Sequence, residues 1–160
     1  MITIKNGNLL VNSDQLTVIC HQVNCQGKMA SGVAKSIRTQ YPKVYECYRD
    51  LFTDDSYDPF ELLGGTLKVP IDDNFSVINM FSQLNYGYDG KRYTSYDAFY
   101  SCLEQIKKMT TEKDLIGFPY GIGCVRGGAS WSVILAMMED VLKDRNVIIY
   151  KYEEDYKCIK

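Results

Sequence analysis

"CHQVNCQGKMASGVAKSI", residues 20–37, decides how the rest of the chain is read. It begins inside an apolar, β-branched run, "LTVICHQVN" (16–24). It ends in "SGVAKSIRTQ" (31–40), where Val33, Ala34 and Ile37 recur at helical spacing. A buried strand that passes through a small polar loop into a helix is the repeating unit of α/β domains. The loop carries the only histidine of the chain, His21, with Asn24, Cys25 and Gly27. By strand alternation His21 and Asn24 point to opposite faces, unless the strand bends between them.

The same alternation continues in both directions. "MITIK" and "VIIYKY" (147–152) read as strands at the two ends. "YP" (41–42) stops or bends the first helix, and "KVYECYRDLF" (43–52) continues with Val44, Tyr48 and Leu51 on one face. "TDDSYDPFELLGG" is a polar loop, and "TLKVP" and "SVINMF" are two further strands. "TSYDAFYSCLEQIKKM" (94–109) predicts a helix with a Thr94–Asp97 capping box, an apolar stripe of Phe99, Cys102, Leu103 and Ile106, and Lys107 and Lys108 at its negative end. "LIGFP" (115–119) is a strand and "WSVILAMMEDVLK" (131–143) a strongly apolar helix. The pattern predicts one domain over residues 1–160, built on a largely parallel sheet between helices. In such sheets ligands collect at the carboxyl ends of the strands.

Composition narrows the function classes. Of 160 residues 46% are hydrophobic and 24% charged, and the formal net charge is −2. No basic stripe argues for nucleic acid by bulk charge. No apolar run is long enough for a bilayer, and the first residues lack a secretory leader pattern, so the expectation is a cytoplasmic protein without a membrane partner. The six cysteines, Cys20, Cys25, Cys47, Cys102, Cys124 and Cys158, form no Cys-x-x-Cys. With one histidine they make no convincing metal set, and they read as reduced, mostly buried thiols. No cofactor is called for, and nothing demands more than a monomer.

A second loop lies between a strand and a helix. "GIGCVRGGAS" (121–130) has Gly121, Gly123, Gly127 and Gly128 within eight residues. Glycines let backbone amides approach an anion closely, and the helix that follows adds unpaired N–H groups. The stretch serves either as a phosphate cradle or as a tight turn. It lacks the Gly-Lys-Ser/Thr of a Walker loop. Two amide-rich loops at neighbouring strand ends are placed to grip a diphosphate from two sides.

These stretches together resemble the macrodomain family, which binds ADP-ribose and its derivatives. "NGNLL" (6–10) is similar to the family's opening segment near the adenine, with Asn8 standing where the family has aspartate, followed by Leu9. "HQVNCQGKMASGVA" resembles the Asn-Ala-Ala-Asn…Gly-Gly-Gly-Val-Ala loop. His21 falls on its first asparagine and Asn24 on its second, which contacts the distal ribose. "GIGCVRGGASW" resembles the phosphate loop, and "INMFSQLNYGYDGKRYTSYDAF" the middle of the Appr-1-p processing branch.

The resemblance implies a three-layer α/β/α sandwich with a mixed, largely parallel central sheet. It implies backbone amides from Met29, Ala30, Ser31, Gly32 and Val33 on one side of the ligand. On the other side it implies a wrap by Gly121, Ile122, Gly123, Cys124, Val125, Arg126, Gly127 and Gly128. Two branches are closest. In ADP-ribose 1''-phosphate phosphatases, "H-x-x-N-C-x-G" matches His21, Asn24, Cys25 and Gly27. In the branch that frees glutamate side chains of ADP-ribose, a lysine and an aspartate act, but here those positions fall near Ser82–Gln83 and Arg126–Gly127, so that pair is absent.

The expected activity is hydrolysis at the 1'' position of the distal ribose, on an ADP-ribose derivative or an ADP-ribosylated protein. His21 is the candidate acid or base, or else a buried structural histidine. Asn24 orients the ribose or a water, Gln83 can position a water, and Arg126 either meets phosphate or stays solvated. Among Tyr86, Tyr88, Tyr150 and Tyr152, the last is the candidate for stacking on adenine. The alternative is a reader or nucleotide-sequestering module that catalyses nothing.

Overall fold

The computed structural model describes residues 1–54 and 57–152. In chain order the elements are β1 (Ile2–Asn6), a 3-10 turn (Leu9–Val11), β2 (Val18–Asn24), α1 (Gly32–Gln40), α2 (Pro42–Asp50), α3 (Pro59–Leu62), β3 (Thr66–Asp72), β4 (Phe75–Gln83), α4 (Tyr96–Met109), β5 (Leu115–Pro119), α5 (Trp131–Val141) and β6 (Asn146–Lys151). The strands form one sheet in the order β1-β6-β5-β2-β4-β3. All pairs are parallel except β3 with β4. The mixed, mostly parallel sheet between helical layers is the α/β sandwich expected.

Burial explains why these runs become strands. β2 and β4 lie inside the sheet and are covered on both faces, so they read as continuous apolar runs rather than alternating ones. β1 at one edge is largely exposed. On one face of the sheet, Phe99, Cys102, Leu103 and Ile106 of α4 and Ile134 and Met138 of α5 close over Cys20, Ile78, Met80 and Ile116. On the other, Ile37 of α1 and Val44 and Tyr48 of α2 cover Ile19, Val23, Val77 and Phe81. Each fully buried side chain of this size stabilises by about 1.5–3 kcal/mol relative to exposure.

Two local readings change. The cap of α4 is Ser95, whose side chain accepts from Ala98 N, not Thr94. Thr94 is 2% exposed and is drawn into hydrogen bonds with the glycine turn instead. The stretch read as a polar loop contains the short helix α3, capped by Asp58 and opened by Pro59. Five cysteines are free, four of them buried, and Cys158 lies outside the described residues. No helix among the described residues is long and apolar enough to cross a membrane.

β2 and β5 are neighbours, yet the helices that follow them pack on opposite faces of the sheet. Their loops therefore diverge at the carboxyl ends, and divergence of this kind opens a crevice in a parallel sheet.

Candidate functional site

The crevice is a cavity of about 400 Å³, within the usual range for a small-molecule site. Its floor is the carboxyl ends of β2, β4 and β5, represented by Asn24, Gln83 and Pro119. The first loop supplies Lys28 and residues 30–34, and the second supplies residues 121–123 and 125–127. Among the described residues the lining contains two cations, Lys28 and Arg126, and no Asp or Glu. In a chain of net charge −2 this is a local inversion of sign, and it suits an anion.

The first loop is held by side chains. The pairing of β2 with β4 shifts register between Val23 and Asn24, so the strand does bend there. The bend brings Asn24 to α2 on the same face as His21. Tyr48 Oη donates to Asn24 O at 2.7 Å and to Asn24 Oδ1 at 2.8 Å. The same Oδ1 accepts from Gln26 N and Lys28 N, and Asn24 Nδ2 donates to Lys28 O. This one amide therefore shapes the turn 24–28, with one N–H to spare. Tyr48 itself is fully buried, and burial pushes its phenol well above its ordinary value.

His21 lies under this loop, 1% exposed, with Nε2 at 2.5 Å from Asn79 Oδ1. Burial pulls its pKa down to about 4, against a smaller opposing pull from that hydrogen bond. The ring is therefore neutral near pH 7. With Nε2–H donating to Asn79, Nδ1 is left as an acceptor, and neither it nor Asn79 Nδ2 has a partner among the described residues.

The second loop is held by close backbone packing. A Cβ at Gly127 would lie 2.1 Å from Thr94 Oγ1 and 2.4 Å from Gly123 O. Gly128 has φ +69°, and a Cβ there would meet Lys91 O at 2.8 Å. The Arg126 guanidinium lies over the Tyr88 ring, 4.4 Å from its centroid, at the cavity wall.

Not every residue singled out in the sequence lines the cavity. Met29, Leu9 and Cys124 are buried, at 1%, 4% and 8% exposure, and do not line it. Asn8 accepts from Leu10 N and caps the 3-10 turn. Gly128 packs behind its loop, and Tyr152, 37% exposed, stands outside the lining. Cys25 and Cys124 are pushed up to about 11 by burial, which keeps both thiols protonated. Conversely, the sequence reading passed over Gln22, Lys28 and Tyr120, which do line the cavity. Gln22 had a signal, since a polar residue one step from His21 in a buried strand needs partners on the opposite face.

No family model matches the chain. Two curated relatives match parts of it, both named ADP-ribose 1''-phosphate phosphatase. That of Scheffersomyces stipitis is 33% identical over 64 residues, 40% of this chain and 37% of the relative. That of Debaryomyces hansenii is 30% identical over 74 residues, 44% of this chain and 41% of the relative. Among solved structures, a macrodomain protein from Streptomyces coelicolor superposes with a TM-score of 0.73 over 96% of this chain and 98% of its own, at 21% identity. The chain has the macrodomain fold. A second neighbour, Thermosipho africanus DarTG in complex with ADP-ribose, superposes with a TM-score of 0.74 at 18% identity, over 96% of this chain and 42% of that chain.

Proposed function

We propose that the cavity binds ADP-ribose derivatives and that the protein hydrolyses them at the 1'' position of the distal ribose. The observation that carries the reading is the cavity's make-up: a glycine turn against a side-chain-braced loop, with the cations Lys28 and Arg126 in the lining and no carboxylate there among the described residues. Such a site satisfies a diphosphate with amides and meets its charge with cations. The names of the two partial relatives and the ADP-ribose complex of the structural neighbour support the same ligand class.

In this reading the amides of residues 30–33, of Gly121 and Gly123, and of residues 125–127 hold the diphosphate, while those of Ile122 and Cys124 close the turn on Pro119 O and Gly121 O. Water cleaves the 1''-phosphate ester to give ADP-ribose and inorganic phosphate. Arg126 and Lys28 oppose the negative charge that develops on the leaving side. Asn24 holds the first loop in place and keeps one N–H for the ribose. Gln83 receives a hydrogen bond from Gln22 and donates to Asn85 O, so it fixes the cavity edge beside the reacting centre. Neutral His21, with Nε2 on Asn79 and Nδ1 buried, supports the floor under the first loop and is no strong base.

A second reading, a reader that binds without turnover, is favoured by one observation. The polar side chains of the floor are already engaged: Asn24 within its own turn, Gln83 at both ends, and His21 with Asn79. Incubation with ADP-ribose 1''-phosphate, followed by assay of released phosphate, separates the two. Release that is lost in Asn24→Ala supports the hydrolase. Binding of ADP-ribose without release, on this substrate and on glutamate-linked ADP-ribosyl protein, supports the reader.

A further inference from the structure

We propose that Gln22 and Thr94 are positioning residues that set the height of the glycine turn 121–128 above the cavity floor. The proposal rests on the reading above for its consequence, the presentation of amides to a phosphate. Its geometry stands on its own.

Gln22 projects from β2 to the α4 face, opposite His21. All of its polar atoms are used. Nε2 donates to Gln83 Oε1 at 2.7 Å and to Thr94 Oγ1 at 2.8 Å, and Oε1 accepts from Ser82 Oγ at 2.7 Å. Thr94 passes the chain on, because its hydroxyl donates to Gly123 O at 2.8 Å. Its backbone also engages the turn: Tyr93 N and Thr94 N both donate to Gly127 O, at 2.8 and 3.0 Å. The base of this network is rigid, since Ser82 and Gln83 belong to β4, which pairs with β2 along its length.

Steric contact locks what the hydrogen bonds align. A Cβ at Gly123 would lie 3.1 Å from Gln22 Oε1 and 3.2 Å from Thr94 Oγ1, and one at Gly127 would lie 2.9 Å from Gln22 Nε2. At Gly127 the turn rests on these two side chains at closer range than a side-chain-bearing residue permits, and at Gly123 the fit is tight. Phosphate binding by backbone amides depends on donor placement within about 0.5 Å. A turn with four glycines has little stiffness of its own and must take that placement from outside. Thr94 is thus diverted from capping α4 and serves the turn.

The test is amide hydrogen exchange resolved along the chain, with calorimetric titration of ADP-ribose, on wild type, Thr94→Val, Thr94→Ser and Gln22→Met. The proposal expects exchange in residues 121–129 to rise about tenfold in Thr94→Val, the effect of one lost hydrogen bond, and to be restored in Thr94→Ser. Exchange in α5 and in β6 stays as in wild type. ADP-ribose affinity falls in parallel and is rescued by serine. Gln22→Met gives the same local signature if Thr94→Val does not fold. Unchanged exchange in 121–129 for both variants overturns the proposal. So does a uniform rise over the whole chain, which marks a merely structural role. If wild type binds no ADP-ribose while the local exchange effect and its serine rescue remain, the functional reading fails and the positioning role stands.

Discussion

The two faces of β2 hold their loops by opposite means. On the α2 face, His21 and Asn24 build with side chains: Asn79 holds the imidazole and Tyr48 holds the Asn24 amide. On the α4 face, Gln22 and Thr94 build with contact, and the glycine turn fits because it has no side chains. A loop braced by side chains fails gradually, one hydrogen bond at a time. A loop braced by close packing fails at once when an atom is added. Neighbouring residues of one strand thus impose different tolerances on the two walls of one cavity.

The largest effect expected from breaking this comparison is Gly127→Ala. The added methyl has no room against Thr94 and Gly123, and the account expects a loss of about 3 kcal/mol in urea unfolding, with ADP-ribose binding abolished. A nearly wild-type unfolding midpoint would show that the second loop is soft.

Next is the pH dependence set by His21. Its folded pKa of about 4 lies below the unfolded value of 6.5, so the unfolded chain binds the proton more readily between them. The stabilising effect is fully present above about pH 6.5 and is lost as pH falls toward 4, by about 2–3 kcal/mol. His21→Gln is expected to flatten that part of the stability curve, measured by chemical denaturation at each pH. An equal slope in the variant would assign it to other groups.

Tyr48→Phe is expected to cost about 1 kcal/mol, because Asn24 Oδ1 keeps its bonds from Gln26 N and Lys28 N. Calorimetric unfolding reads it directly, and a loss as large as that of Gly127→Ala would erase the contrast between the walls. Arg126→Ala is the smallest in stability, within about 0.5 kcal/mol, since the side chain is exposed and lies over the Tyr88 ring at the cavity wall. Its effect belongs to binding: ADP-ribose affinity falls, and the salt dependence of that affinity weakens with it.

Much of the architecture was legible because each element signals itself locally. β2 and β4 are buried on both faces and carry unbroken apolar runs, and α4 shows its stripe from Phe99 to Ile106. Both loops were legible because their glycines and Asn24 sit where a strand runs out. The bracing was not, because it is non-local. Gln22 meets Gln83 and Thr94 across 61 and 72 residues, through a strand pairing that periodicity does not encode. Thr94 was misread for the same reason: its local pattern suits a cap, and a distant partner outbids it. Asn8 and Leu9 show the converse, since a motif can match while the residues cap a turn and fill the core.

The central claim is that this cation-lined cavity takes the diphosphate of an ADP-ribose derivative. Calorimetric titration of wild-type protein with ADP-ribose tests it most directly, with ribose 5-phosphate as the comparison ligand. The account predicts saturable one-to-one binding of ADP-ribose, at least tenfold tighter than ribose 5-phosphate. No heat of binding for ADP-ribose, or equal affinity for the two, would contradict it.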